Sequence, residues 1–199
     1  MRKIGVIGVI LLMINLVLAF PIWASFQSGE NAYLREDFDF ALQEWRPLAE
    51  QGMAEAQNML GYMYRYGQGV GQDFEQARFW YRQAADQGHA KSQNNLGAMY
   101  RQGLGTPQDF QEALRWFRRA ADQGNGGAQN HLGLMYFQGE GVSKDMVHAY
   151  MWAYLAAQQG VDPAIQALEI LEQEMTPAQI EEAKRRANDW KPKGEEVTL

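Results

Sequence analysis

The sequence predicts an all-α solenoid, a stack of short helix pairs, and three observations predict it. The first is a period. "AADQGHAKSQNNLGAMYRQGLG", from Ala84 to Gly105, returns 36 residues later as "AADQGNGGAQNHLGLMYFQGEG", from Ala120 to Gly141. The second is that apolar residues inside each interval recur at helical spacing. The third is that glycines close each apolar run at matching positions. Self-similarity at this period marks a repeat architecture, in which each unit buries its apolar stripe against the next.

The register is dense. Asp37, Asp73, Asp109 and Asp145 head four successive blocks, and Ala41, Ala77, Ala113 and Ala149 coincide within them. Leu60, Leu96 and Leu132 match, each followed by a glycine (Gly61, Gly97, Gly133) and then a tyrosine (Tyr64, Tyr100, Tyr136). Gly52, Gly88, Gly124 and Gly160 also coincide, as do Gly67, Gly103 and Gly139.

In chain order, "MRKIGVIGVILLMINLVLAFPIWASF" comes first. Its basic start, apolar run from Ile4 to Phe20 and small residue at Ala24 resemble a secretory signal peptide. Residues 1–24 are read as that signal, cut after Ala24, which makes the working chain periplasmic or secreted. The alternative is an uncleaved inner-membrane anchor facing the periplasm, the one route by which a membrane becomes a partner. Residues 25–36 read as a spacer and 37–160 as the repeats.

Each block gives two helices. "DFEQARFWYRQAADQG" opens on Asp73, whose carboxylate can accept from an orphan N–H, and stops at Gly88. "AKSQNNLGAMYRQG" carries Ser92, Leu96, Met99 and Tyr100 on one stripe and stops at Gly103; Gly97 beside the stripe permits close helix approach. Trp80, Trp116 and the repeated tyrosines read as core. Pro47 removes one bond from its helix and predicts a kink. After Gly160 the pattern dissolves, with Glu169 and Glu172 in place of glycine and tyrosine. Residues 161–190 read as capping helices, the last announced by Thr176 as N-cap, Pro177 behind it and Gln179 three residues on. Residues 191–199 read as a flexible tail.

Composition narrows the function. The formal charge is -6 with no basic stripe, which excludes nucleic acid as a partner, and the chain contains no cysteine. None of the three histidines, His89, His131 and His148, has a second ligand at metal-binding spacing, so no metal or other cofactor is expected. No phosphate-binding loop or nucleophile elbow occurs, and "GQGVG" (67–71) reads as a turn.

Function then falls where the repeats differ. Rotation by ~100° per residue puts one set of side chains opposite the core stripe of each second helix. These are Asn58, Tyr62 and Arg65, then Asn94, Asn95 and Arg101, then Asn130, His131, Leu134 and Phe137. Asn58, Asn94 and Asn130 share one register and can form a ladder donating to and accepting from an extended peptide backbone. Asn94 and Arg101 of the central unit are expected to matter most, whereas Lys144 lies in a connecting loop and is expected to leave binding intact.

"AQNMLGYMYRYGQGV", "SQNNLGAMYRQGLG" and "AQNHLGLMYFQGEGV", each joined to a "D…A…W/Y…AA.QG" helix, resemble Sel-1-like repeats, 36-residue relatives of tetratricopeptide repeats. The resemblance covers about Asp37 to Gly160. It implies a right-handed α/α superhelix, with the variable helix face lining the concave surface. It also implies a non-catalytic adaptor or scaffold that binds a protein or peptide there, of a kind often exported in bacteria. Cysteine-rich relatives are linked to β-lactam binding or hydrolysis. The alternative of an envelope hydrolase of that type lacks both cysteine pairs and a catalytic constellation here.

Overall fold

The computed structural model describes residues 23–193, none of which lies in a strand. A helix, α1, occupies 23–34. It is followed by α2 (Phe38–Glu50), α3 (Ala54–Tyr66), α4 (Phe74–Asp86), α5 (Ala90–Gln102) and α6 (Phe110–Asp122). Then come α7 (Gly126–Gln138), α8 (Met146–Ala157), α9 (Asp162–Glu174) and α10 (Pro177–Asp189). Each packs chiefly on its chain neighbours, α10 returning onto α8. That arrangement is an all-α repeat superhelix. Among the described residues no helix is long and apolar enough to cross a membrane.

The aspartates at the period fix the helix starts. Asp37, Asp73, Asp109 and Asp145 each accept from a backbone N–H three residues on, those of Phe40, Gln76, Glu112 and His148. The intervening helices start on His89 and Asn125, which accept from Ser92 N and Ala128 N, and on Met53, which makes no such bond. Gly67, Gly103 and Gly139 end α3, α5 and α7 at φ 69°, 71° and 74°, a left-handed turn that side-chain-bearing residues resist. Thr176 and Gln179 close a reciprocal capping box at α10. Helix α2 runs unbroken through Pro47.

The closest helix pairs are α3 with α4, α5 with α6 and α7 with α8. The packing unit therefore starts at Ala54, one helix later than the blocks headed by the aspartates. A ring explains the pairing. A methyl placed on Gly61 would lie 2.6 Å from the Tyr81 ring, and one on Gly97 would lie 2.9 Å from Phe117. Leu60, Leu96 and Leu132 and Met63, Met99 and Met135 are fully buried beside these rings. Trp116 is buried too, but Trp80, Tyr64, Tyr100 and Tyr136 are only half-buried. The fully buried aromatics are Trp45, Tyr81, Phe117, Tyr150 and Trp152.

Each unit is closed on itself by a part-buried amide clip absent from the readings above. Gln57 accepts from Gln87, Gln93 from Gln123 and Gln129 from Gln159, each at 2.7 Å. Gln57 and Gln93 also donate to the carbonyls of Ala49 and Ala85, which end the preceding helices. These bonds satisfy helix-end acceptors that burial would otherwise leave unpaired.

Residues 25–36 are not a spacer. They belong largely to α1, which covers the start of the stack. Phe26 and Ala32 are buried, the Phe26 and Tyr33 rings lie 5.9 and 5.6 Å from the Trp45 ring, and Trp45 Nε1 donates to Phe26 O at 3.1 Å. Gly29 meets Trp45 as Gly61 meets Tyr81, so α1 and α2 form a shortened unit of the same kind. At the other end α9 and α10 cap the stack, and Trp190 packs edge-on against Trp152 at 5.8 Å. Lys193 N donates to Asp122 O, so the expected tail is anchored at its start; residues 1–22 of the expected signal (1–24) and residues 194–199 of the expected tail (191–199) lie outside the described residues.

Candidate functional site

Helices α3, α5 and α7 lie side by side and present one face. Asn58 on α3 ties it to α5, its amide oxygen accepting from Ser92 Oγ at 2.9 Å and from Asn95 Nδ2 at 3.2 Å. Asn58, Asn94, Asn95, Asn130, His131 and Leu134 are all half-buried on this face. On the outer face of α4, by contrast, Glu75, Gln76, Phe79 and Gln83 are exposed. The shared face of α3, α5 and α7 is thus the recessed side of the stack.

The residues expected there occupy it unequally. Asn58 and Asn95 are engaged with each other across the helix boundary. Asn94 carries a buried amide oxygen with no hydrogen-bond partner. The three in-register asparagines therefore do not form a uniform ladder. Arg101 reaches to the loop after α7, where Nε meets Glu140 at 2.7 Å and Nη2 meets Gln138 at 2.9 Å. Its guanidinium braces a joint, and any ligand carboxylate there would compete with Glu140. Lys144 lies in the connecting loop, as expected, and its ammonium stands 5.0 Å from the Phe137 ring centroid, at the rim of the site.

At the α3 end the face is aromatic and basic. Tyr62 and Tyr66 are exposed with ring centroids 4.4 Å apart, Tyr33 of α1 meets Tyr62 at 6.3 Å, and the Arg65 guanidinium lies 5.3 Å from the Tyr66 centroid. In the middle, His131 stacks on Phe117 at 4.5 Å, and its Nδ1 is buried without a partner. Burial, with added repulsion from Arg101 and Arg65, pushes its pKa down to about 4, so the imidazole is neutral at pH 7.

At the α7 end the face is apolar. A cavity of about 170 Å³ opens between α7, α8 and α9, lined by Asn130, Leu134, Phe137, Ala153, Ala167 and Ile170 among others. Sequence reasoning placed Asn130, Leu134 and Phe137 on the site and missed Ala153, Ala167 and Ile170. The missing signal was the register itself, since 153 is the position occupied by Tyr81 and Phe117 in the earlier units.

Among the described residues no group of three or more histidines and carboxylates could hold a metal ion. His89 is a helix cap, bonded to Ser92 Oγ at 2.8 Å, and His148 bonds the Asp145 carboxylate at 2.7 Å. Both belong to helix starts.

The Sel1 repeat family pattern matches three consecutive segments, 54–89, 90–125 and 127–161. Those boundaries coincide with the packing units that begin at Ala54. A crystal structure of a Sel1 repeat protein from Oxalobacter formigenes is similar at TM-score 0.69 and 33% identity, covering 73% of this chain and 58% of its own. The crystal structure of c5321, a protective antigen of uropathogenic Escherichia coli strains with an SLR fold, is similar at TM-score 0.50 and 29% identity. That match covers 85% of this chain and 45% of its own. The chain thus spans about half the length of these two proteins. No curated protein matches it. With three matched repeats over more than half of its residues, the chain belongs to the Sel1 repeat family.

Proposed function

We propose that this protein is an exported, non-catalytic scaffold that holds an extended segment of a protein partner in the concave groove of α3, α5 and α7. One observation carries the reading. The two large core positions of these helices repeat without change, Leu60, Leu96 and Leu132 with Met63, Met99 and Met135. Beside the constant Asn58, Asn94 and Asn130, two groove positions do not, running Tyr62, Ala98 and Leu134, and Arg65, Arg101 and Phe137. A stack that keeps leucine and methionine constant beneath a recessed face while varying side chains on that face has a surface shaped for something other than folding, and solenoids use such surfaces for extended ligands.

Export rests on the first 24 residues. The first buried residue of α1 among those described is Phe26, so cutting after Ala24 leaves the contacts of α1 with Trp45 in the mature protein. An envelope hydrolase is not adopted, because no observation favours it.

A photo-crosslinking residue placed at Tyr62 or Asn130, and separately at Gln83 on the outer face, tests the reading in intact cells. The groove positions should yield one defined adduct, with Gln83 yielding none, and the exported chain in the adduct should begin at Ser25. Equal labelling from Gln83 and from the groove would place the partner elsewhere.

A further inference from the structure

Positions 45, 81, 117 and 153 stand in one register and do not hold the same residue. Trp45, Tyr81 and Phe117 are each fully buried against a glycine of the preceding helix, Gly29, Gly61 and Gly97, so tightly that a methyl there would run into the ring, at 2.6 and 2.9 Å for Tyr81 and Phe117. The Phe117 ring also stacks on His131 of the next unit, so it bridges two units. At the fourth position there is only Ala153. Without a ring α7 and α8 close up, and a methyl on Gly133 would meet backbone, Ala149 O at 3.1 Å and Ala153 N at 3.2 Å. The closure is incomplete. A cavity of about 170 Å³ remains between Gly133, Ala153 and Ala167, its lining almost wholly apolar. A dry apolar cavity of roughly 150 Å³ accepts a benzene ring.

The charges along the groove describe the rest of the ligand. Moving through the register 65, 101, 137 and 173, the residues are Arg, Arg, Phe and Gln. The groove is basic at α3 and α5 and apolar at α7 and α9, in a chain of net charge -6. Arg101 is paired with Glu140, whereas Arg65 makes no ion pair among the described residues. We propose that the Ala153 cavity receives one aromatic side chain of the bound polypeptide, while a carboxylate of the same segment lies at Arg65. This rests on the groove being the binding surface. Helices pack ~8–10 Å apart and an extended chain advances ~3.3 Å per residue, so two helix spacings put that carboxylate about five or six residues from the aromatic.

The test selects a random-peptide phage library on the mature chain and titrates the synthetic peptides that emerge. The selected segments should share a Phe, Tyr or Trp with an Asp or Glu five or six residues away. Replacing the peptide's aromatic by Ala should weaken binding at least tenfold, as should Ala153→Phe, which fills the cavity from inside. Should Ala153→Phe disturb the α7–α8 contact, Ile170→Glu on the exposed rim serves, with circular dichroism and melting temperature as its control for folding. Arg65→Glu should weaken binding severalfold. Peptides without an aromatic, or binding lowered by Arg65→Glu but untouched by Ala153→Phe and Ile170→Glu, would overturn the cavity and leave the groove standing. No selected binders, or binders indifferent to all three substitutions, would remove both.

Discussion

His131 shows how one residue of the groove couples the site to the fold. Its ring covers Phe117 and its Nδ1 is buried without a partner, so the neutral form is the one the folded chain accepts. The unfolded imidazole titrates near 6.5 and the folded one near 4. Between those values the unfolded chain binds the extra proton, so stability is full above pH 6.5 and falls as the pH drops towards 4. At ~1.4 kcal/mol per pKa unit the loss is on the order of 3 kcal/mol across that window. Urea unfolding at pH 7.5 and pH 4.5 measures it. His131→Asn should flatten the difference relative to the parent, and a variant with the parent's full pH slope would show that the histidine is not its source. Asn58, Asn94 and Asn130 teach the opposite lesson about legibility. Their common register is plain in the sequence, yet Asn58 is engaged because Ser92 and Asn95 approach it from the next unit. That fact is set by packing between residues 34 and 37 positions apart, which no single-unit helical projection displays.

At the scale of elements the helices of the repeats were legible because each carries its own start and stop. The aspartate caps, the left-handed glycines and the Thr176 box are local chemistry, readable within a few residues. Helix α1 was not legible, for two physical reasons. It adjoins the apolar run of Ile4 to Phe20 in the sequence, whose hydrophobicity swamps any amphipathic pattern. It also breaks the period, since Gly29 stands 32 residues before Gly61 instead of 36, the turn between α1 and α2 being shorter. Its importance is testable through Ala32, which is fully buried. Ala32→Asp places a charge where no partner exists and should release α1 from Trp45. Limited trypsin digestion should then cut at Arg35, in the turn ahead of α2, and the urea midpoint should fall. An uncut Arg35 with an unchanged midpoint would mean that α1 adds nothing to the fold.

For the whole molecule, the apolar core is divided along the stack into three clusters, and the largest unites α6, α7 and α8 with both capping helices. In a nearest-neighbour stack, local stability follows the quality of each interface. Amide exchange should therefore be slowest in α7 and α8, around Leu132, Met135 and Trp152, and fastest in α1 and α2; uniform protection along the chain would contradict this. The Gln57–Gln87, Gln93–Gln123 and Gln129–Gln159 clips have a further consequence. Every unit is closed by the same amide bond at the same 2.7 Å, so that bond does not record a unit's place in the row. Copying residues 90–125 once more behind Asn125 would ask for no new fastener, since Asn125 already caps a helix start as His89 does. The reach of the groove is then a coin of fixed denomination, altered by adding or removing a whole copy, while the chemistry lining each copy is left free to drift.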